Sequence, residues 1–227
     1  DHELFPSGGG HRSCVSLGSI YTELTDTQKG VRRMGRTQSY DRDDVVRAAR
    51  SVFWQQGYEG APLPELERVT GLNRSSIYHA FGSKRGLFDA AVDSYLDEII
   101  RPRLSPLTAD EVGPGALEAY LEGLRDALRQ PSSLPASSGC LLVNTAAAPI
   151  ARDEAVAQVI AGYRAELRTA FGRGVAARRP DLEGAQHAIL ADACTGLVVS
   201  AFALARVDAV GAADAVGTAI ALVTGAP

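Results

Sequence analysis

Four consecutive polar residues, Asn73-Arg74-Ser75-Ser76, carry the side chains of this sequence that are best suited to contact another molecule. An arginine can donate two hydrogen bonds to a guanine base, or it can hold a phosphate group. Serine hydroxyls bind either partner, and their small size lets the backbone approach closely. Asparagine is also a favoured N-cap, so the run predicts the first turn of a short helix that continues through Phe81. If this helix is the second of a helix-turn-helix, its N-terminal residues are those that reach base edges in the major groove.

The elements before this run place it at the end of a tight turn. A first helix is predicted from Asp41, a good N-cap, to Gly57, because apolar residues recur between them at helical spacing. A second helix begins at Pro62 and ends at Gly71. Two short helices that are joined by a tight turn at residues 70–73 form a helix-turn-helix.

Helical periodicity continues through the rest of the chain. After Gly82 and Ser83, a long fourth helix is predicted to close at Pro102 and Pro106, followed by a linker-like stretch over residues 102–115. No segment alternates like a strand, so the predicted fold class is all-α. The remaining predicted elements are a helix over Leu117–Leu128, a loop over Pro131–Ser138, a short helix over Cys140–Ala148, a long helix over Val156–Phe171, and two final helices over residues 185–206 and 212–224.

The charge distribution is asymmetric. The chain of 227 residues has a formal net charge of −4, which by itself argues against nucleic acid. Residues 34–87, however, hold eight basic and six acidic residues, whereas residues 88–227 hold eleven and seventeen. The excess of positive charge therefore lies in the segment with the helix-turn-helix, as a modular DNA-binding protein requires.

Enzyme and metal chemistry find no support in the residue spacing. His187 is the one histidine of the second half, and it lies five residues before Asp192, a spacing that does not align two side chains on a helix. The cysteines Cys14, Cys140 and Cys194 are far apart, without a CxxC pair or a histidine cluster, so neither a zinc site nor a disulfide framework is expected. No cofactor or metal is predicted, and a reducing cytoplasm is the expected location.

The first 33 residues contain the breakers Pro6 and Gly8-Gly9-Gly10 and no apolar periodicity, which predicts an unstructured leader or arm. Met34, the single methionine, favours the interpretation that the natural start lies there. The alternative is a basic arm in which Arg32, Arg33 and Arg36 reach the minor groove. The apolar stretch from Ala188 to Ala205 is interpreted as a buried helix rather than a membrane span, since it contains Asp192 and small residues.

The segment Asp41–Leu87 resembles the DNA-binding domain of TetR-family regulators. The matching residues are Ala48-Ala49, Phe53, Gly57-Tyr58, Leu66, Thr70-Gly71-Leu72, Ile77 to Lys84, and Leu87-Phe88. The resemblance implies that Tyr78 and Lys84 grip backbone phosphates, and that the exposed positions of the recognition helix are those of Arg74, Ser75, Ser76 and His79. Ala61-Pro62 departs from the Thr-Ser that is usual at the second helix, and Glu67 stands where a small residue is usual.

A second, shorter resemblance covers residues 139–146, which look like the start of the sixth helix in one subgroup of these regulators. Some members of that subgroup respond to small or reactive compounds. Cys140 is then either a sensor thiol at a helix N-terminus or, as is commoner, a small buried hydrophobe. Cys194 lies inside an apolar run and is expected to pack.

Further residues of the second half are candidates for an effector pocket or for ordinary core. Apolar side chains with a few polar groups are typical of binding sites. The tentative pocket set is Tyr120, Cys140, Asn144, Tyr163, Phe171 and Phe202. Small residues in the last two helices allow close helix packing, either across a two-fold dimer interface or within the chain: Gly196, Ala201, Ala203, Ala205, Ala219 and Ala221.

The resemblance implies a three-helix DNA-binding domain at residues 34–87 and a helical effector-binding and dimerisation domain at residues 88–227. The expected function is a ligand-responsive repressor that binds double-stranded, pseudo-palindromic operator DNA as a homodimer and is released by a small molecule. The contacts to DNA are predicted for Asn73, Arg74, Ser75, Ser76, Tyr78, His79 and Lys84. The alternative is an effector-independent DNA-binding protein of the same fold, and an enzyme is not expected.

Overall fold

The computed structural model describes residues 40–225, all of whose regular elements are helices. The predicted leader, Met34 and the candidate arm arginines lie outside these described residues. The α-helices are α1 (Arg42–Gly60), α2 (Leu63–Thr70), α3 (Arg74–Phe81), α4 (Lys84–Tyr95), α5 (Arg101–Thr108), α6 (Ala116–Arg129), α7 (Leu134–Ser138), α8 (Leu141–Ala146), α9 (Glu154–Arg178), α10 (Gly184–Leu204) and α11 (Ala209–Thr224).

The first three helices and the start of α4 form a headpiece, whose buried apolar residues belong to one core with those of the later helices. Gly57 ends the regular part of α1, because its φ of 73° and ψ of 174° interrupt the helix three residues before Gly60. The buried rings of Phe53 and Phe88 meet edge-on at 5.2 Å, which packs α1 against α4. Leu66 of α2 and Ile77 of α3 are fully buried in the same core.

The prediction that the fourth helix closes at Pro102 was wrong. A π-helical turn over Leu96–Ile100 joins α4 to α5, so the helical rod continues from Lys84 to Thr108. In the π turn the Arg101 amide donates to the Leu96 carbonyl, which shifts the bonding pattern just before Pro102. The carbonyl of Pro102, which Pro106 cannot satisfy, accepts instead from the Ser105 hydroxyl at 2.8 Å. The predicted linker therefore shrinks to the loop between α5 and α6.

The segment Pro131–Ser138, predicted as a loop, contains the short helix α7. The Ser133 hydroxyl accepts a hydrogen bond from the Ala136 amide at 3.1 Å, and Pro135 stands in the first turn. Both features favour helix initiation, and the prediction of a loop did not take them into account.

The second half of the chain is a helical body around α9, α10 and α11. Two stretches, Leu134–Arg152 and Gly184–Leu204, are long and apolar enough to cross a membrane by length and composition alone. Gly139 ends α7 inside the first stretch, so it is not one continuous helix. The second stretch is α10, which buries Cys194, Val198 and Phe202 within the body. Only 33% of this stretch is buried, so the prediction of a buried helix is met on one face of α10 alone.

Candidate functional site

The helix-turn-helix is formed by α2, a three-residue turn and α3. Gly71 adopts the left-handed conformation, φ 68°, and its amide donates to the Glu67 carbonyl, which ends α2. The Thr70 hydroxyl donates to the Leu66 carbonyl at 2.6 Å and accepts from the Leu72 amide at 3.3 Å. Four backbone groups in and beside the turn are thereby satisfied, so the angle between the two helices is fixed locally.

The N-terminus of α3 is capped as the sequence predicted. The Asn73 side-chain oxygen accepts from the Ser76 amide at 2.8 Å. Ile77 and Phe81 are buried and anchor the inner face of α3. The outer face carries all seven residues that the sequence assigned to DNA: Asn73, Arg74, Ser75 and His79 are exposed, and Ser76, Tyr78 and Lys84 are half-buried. The structure therefore brings this set together on α3 and the first residue of α4.

Two cations on this surface are left without a carboxylate partner among residues 40–225. The guanidinium of Arg74 lies 5.3 Å from the centre of the Tyr78 ring, and the ammonium of Lys84 lies 4.7 Å from the centre of the Tyr58 ring. Aromatic faces attract a cation without neutralising it. Partial burial lowers the pKa of Lys84 below its usual range, and the nearby carboxylate of Glu59 opposes that shift. Both side chains keep donors free for an anionic partner.

The position of α3 depends on residues that the sequence reasoning missed. The Arg42 side chain, on α1, donates to the Ala80 carbonyl at 3.0 Å and lies 4.4 Å from the centre of the Phe81 ring. A Cβ atom at Gly86 would overlap the Phe81 carbonyl oxygen, so α4 can approach α3 this closely only with glycine there. Neither role has a local sequence signal, because both depend on contacts between different helices.

The unusual pair at the start of α2 has a structural consequence. Ala61 is fully buried, and Pro62 is the N-cap of α2 without a side-chain hydrogen bond. The hydroxyl that could bind a phosphate at this position is therefore missing. Glu67, the second departure, is half-buried and its carbonyl receives the Gly71 amide.

A cavity of about 520 Å³ lies between α1, α4, α5, α6, α7 and α10. Two of the six predicted pocket residues, Tyr120 and Phe202, line it. Most of its wall is apolar, and Arg103 is its one charged lining residue. The complete lining consists of Trp54, Tyr95, Ile99, Ile100, Arg103, Ala119, Tyr120, Gly123, Leu124, Ala127, Ser133, Leu134, Pro135, Gly139 and Phe202.

The other four predicted pocket residues lie behind the cavity wall. Cys140 is fully buried, and its thiol is 3.6 Å from the Tyr163 hydroxyl. The Asn144 side-chain amide donates to the Ser138 carbonyl at 2.7 Å. Phe171 packs edge-on against Tyr120, with 5.3 Å between ring centres. These residues support the wall instead of forming it.

Three tyrosine hydroxyls surround this wall in a strongly desolvated environment. Burial raises the pKa of Tyr95, Tyr120 and Tyr163 above the ordinary value, and the neighbouring thiol of Cys140 raises all three further. The positive charge of Arg103 opposes the rise for Tyr120. The phenols therefore stay neutral at physiological pH and act as hydrogen-bonding groups.

Three polar side-chain contacts join the headpiece to the body, beside the apolar packing of α1 and α4 against α8. The buried indole N–H of Trp54, on α1, donates to the Gly139 carbonyl at 3.0 Å. A Glu59 carboxylate oxygen accepts from the Ile150 amide at 2.8 Å. Arg85, on α4, pairs with Asp153 at 3.1 Å and lowers the pKa of that carboxyl. Trp54 also lines the cavity, so one side chain belongs to both the headpiece and the cavity wall.

The last two helices leave apolar side chains in solvent. Ile189 on α10 and Val210 on α11 are 70% and 73% exposed. Of the small residues singled out above, Gly196 and Ala203 are exposed and Ala221 is half-buried, whereas Ala201, Ala205 and Ala219 are buried within the chain. The small residues thus serve both packing inside the body and an open surface on α10 and α11.

The residues considered for catalysis are engaged elsewhere. The His187 ring is 2.8 Å from the Arg179 carbonyl, and Asp192 pairs with Arg168 at 2.6 Å. Within residues 40–225, no group of three or more His, Cys, Asp or Glu side chains is placed to hold a metal ion.

Comparisons of the sequence with a family model and with individual proteins both find similarity to regulatory proteins. Residues 45–91 match the family described as "Bacterial regulatory proteins, tetR family". The chain is 34% identical to the HTH-type transcriptional regulator YezE of Bacillus subtilis (strain 168) over 143 residues, which covers 63% of this chain and 72% of YezE. It is 31% identical to the HTH-type transcriptional repressor ComR of Escherichia coli (strain K12) over 53% of this chain and 57% of ComR, so little more than half of that repressor is matched.

The fold is also shared with a DNA-bound structure. The TetR family transcriptional regulator CifR, solved as a cysteine mutant with 26-base-pair double-stranded operator DNA, superposes with a TM-score of 0.66. It is 30% identical, and the match covers 82% of this chain and 98% of CifR. The reduced form of NemR from E. coli has a TM-score of 0.65 at 18% identity and shows the fold alone.

Proposed function

This chain belongs to the TetR family of bacterial regulatory proteins, and we propose that it is a transcriptional repressor that binds a pseudo-palindromic operator as a homodimer. A small-molecule effector in the cavity releases it from DNA. The DNA-binding domain is residues 34–87 and the effector and dimerisation domain is residues 88–227, with the boundary inside α4. The protein then acts in the cytoplasm, where its operator lies.

The observation that carries this proposal is the capped N-terminus of α3, where Arg74 stands exposed and without a carboxylate partner among the described residues. In a helix-turn-helix, the N-terminal residues of the second helix reach base edges, while flanking groups hold phosphates. Arg74, Ser75 and Asn73 have the exposure that base contact requires. Tyr78 and Lys84 stand beside them with polar tips available for the backbone.

The homodimer is supported by the open apolar surface of α10 and α11. Exposed aliphatic side chains next to small residues allow helices of a second copy to pack closely. Single exposed apolar side chains are ordinary on a monomer, so the support comes from their occurrence on both helices together with exposed small residues. A two-fold dimer also places two recognition helices in successive major grooves, which matches a pseudo-palindromic operator.

Effector control is supported by the cavity and by its neighbour Trp54. A volume of about 520 Å³ is within the range of about 300–1,000 Å³ that is typical of small-molecule sites. A ligand in this cavity contacts α1 directly through Trp54, and thereby favours one headpiece position over another. Linkage then requires that operator DNA weakens effector binding by the same factor by which the effector weakens DNA binding.

A binding titration against the upstream intergenic DNA of its own gene tests the DNA assignment, with the full chain and Arg74→Ala at two salt concentrations. Loss of one base or phosphate contact costs about 1–3 kcal/mol, so the affinity should fall at least about fivefold. If Arg74 holds a phosphate, the salt dependence should also become shallower. The matched control is Arg129→Ala, which removes an exposed arginine at the end of α6.

Wild-type binding that is unaffected by Arg74→Ala, or an equal loss in Arg129→Ala, would exclude α3 as the reader of DNA. The dimer is tested separately by light scattering on the double variant Ile189→Asp and Val210→Asp. Both charges fall on the exposed surface of α10 and α11, so the dimer should dissociate. The control Val159→Asp places a charge at a partly exposed position of α9. A dimer that survives the double variant would rule out this surface as the interface.

A further inference from the structure

We propose that the effector is an elongated, apolar monocarboxylic acid whose carboxylate pairs with Arg103 while its chain lies along α6. This inference rests on the proposed role of the cavity as the effector site. It adds the chemical class of the ligand, its orientation and the residue that selects its charge.

The charge of the cavity selects an anion. Arg103 is its one charged lining residue, so a ligand with an amine would meet a like charge and no carboxylate. Within residues 40–225, Arg103 forms no ion pair, and its one hydrogen bond runs from Nη1 to the Ile99 carbonyl at 2.8 Å. A guanidinium carries five N–H donors in a planar fork that matches a carboxylate. Most of that fork is therefore available to a ligand.

Arg103 is exposed, whereas the aromatic side of the cavity is not. Tyr95 and Trp54 are buried, and their rings meet edge-on at 4.9 Å, so this wall is preformed. Phe202 continues the same apolar wall. The charge of Arg103 nevertheless acts on the cavity interior, because it opposes the effect of burial on the pKa of Tyr120. A bound acid then has its carboxylate at the solvent side and its apolar end against the indole of Trp54.

The shape of the cavity selects an elongated chain. Ala119, Gly123 and Ala127 all line it and are spaced by four residues, so they form one face of α6. Small side chains along this face, of which Ala119 and Gly123 are exposed to solvent, would leave an open groove about 12 Å long, since eight residues of helix rise 1.5 Å each. Gly123 has open space in front of it, because a Cβ atom added there meets nothing within 4 Å. A linear acyl or arylalkyl chain fits this groove better than a compact ring system.

Isothermal titration calorimetry with octanoate, decanoate and 4-phenylbutanoate, each beside its primary amide, tests the inference on the full-length protein. At least one acid should bind about tenfold more tightly than its amide, because one charge-assisted hydrogen-bond pair at a partly solvated site is lost. Arg103→Gln should remove this preference, whereas Arg103→Lys should keep part of it. The exposed Arg152, outside the cavity lining, provides the matched control Arg152→Gln, which should keep the preference in full.

Gly123→Leu tests the groove itself, since leucine fills the space along α6 and should abolish acid binding without loss of helix content. Acids and amides that bind equally well, or a preference that survives Arg103→Gln, overturn the charge assignment while the cavity remains the effector site. Binding of none of the six compounds, or binding that Gly123→Leu leaves unchanged, overturns the ligand class. Operator affinity of the ligand-free protein is measured in parallel, so a failure of the proposed function is seen independently.

Discussion

Trp54→Phe should destabilise the protein and weaken its response to effector at the same time. Phenylalanine keeps an aromatic ring at the edge-on contact with Tyr95 but removes the N–H that donates to the Gly139 carbonyl at 3.0 Å. An unsatisfied buried acceptor costs about 1–3 kcal/mol. The smaller ring also leaves unfilled space in a wall where Trp54 is only 5% exposed, which adds about 1 kcal/mol.

The total, about 2–4 kcal/mol, corresponds to a fall in Tm of about 4–16 °C for a protein of this size. Chemical denaturation at one fixed protein concentration measures the free energy of unfolding, because the proposed dimer would make that free energy depend on concentration. The second measurement is the ratio of operator Kd values with and without effector, which should move toward one. The matched control is Tyr58→Phe, which keeps its ring in the same helix and should change the unfolding free energy by less than about 0.5 kcal/mol.

A Trp54→Phe variant that unfolds like the wild type would refute the buried bond to Gly139. A variant that is destabilised but retains the full effector response would refute the argument that Trp54 transmits the effect of ligand binding to α1. The two outcomes are separable, because stability and the ratio of Kd values are measured on the same preparation.

Three further predictions concern the recognition helix and the body. Asn73→Asp should keep the cap on the Ser76 amide, and with it the unfolding free energy, yet lower operator affinity at least about threefold through repulsion of the DNA phosphates, as measured by fluorescence anisotropy. Gly86→Ala should lower the unfolding free energy by about 1–3 kcal/mol and weaken operator binding, because the new methyl group overlaps the Phe81 carbonyl and displaces α3. Burial raises the pKa of the Cys194 thiol from about 9 to about 11, so the folded state holds this proton more tightly. The resulting contribution to stability, about 3 kcal/mol, is present below pH 9 and is lost as the pH rises toward 11, and Cys194→Ala should flatten that part of the stability profile.

For each of these three predictions, one experimental result would contradict it. Equal operator affinity of Asn73→Asp and wild type would mean that the start of α3 does not approach phosphate. Gly113→Ala, in the loop between α5 and α6 where an added Cβ meets nothing, is the control for Gly86→Ala, and equal effects of the two changes would remove the overlap argument. An unchanged alkaline stability profile in Cys194→Ala would show that this thiol does not titrate with folding.

The helix-turn-helix was predictable because its determinants are local. Asn73 caps α3, Gly71 takes the left-handed conformation that ends α2, and Ser83 caps α4 through the Gly86 amide at 3.0 Å. In each case the residue itself makes a hydrogen bond with a backbone group within four positions. The error at Pro102 had the opposite origin, because a π turn earlier in the helix changed the bonding pattern that this proline meets.

The cavity was predictable only in part, because its lining comes from helices that are distant in sequence. Tyr120 and Phe202 are apolar residues of the second half, as expected, but Trp54 and Arg103 were overlooked. Trp54 lies in a helix whose pattern is fully explained by the headpiece core. Arg103 stands between two prolines that the sequence assigned to a linker. Their convergence on one cavity follows from packing between helices that are distant in sequence, which periodicity alone does not encode.

The three headpiece contacts converge on one segment of the body, residues 139–153. Trp54 and Glu59 reach it from α1, and Arg85 reaches it from α4. A displacement of this segment therefore acts on two headpiece helices at once, so α3, which packs on both, changes position with them. The proposed effector would shift the headpiece only by the difference between its affinities for two headpiece positions. Trp54 is the one of these three side chains that lines the cavity, where Tyr95 of α4 and Gly139 also line the wall, so a variant that alters the indole should alter control before it alters recognition.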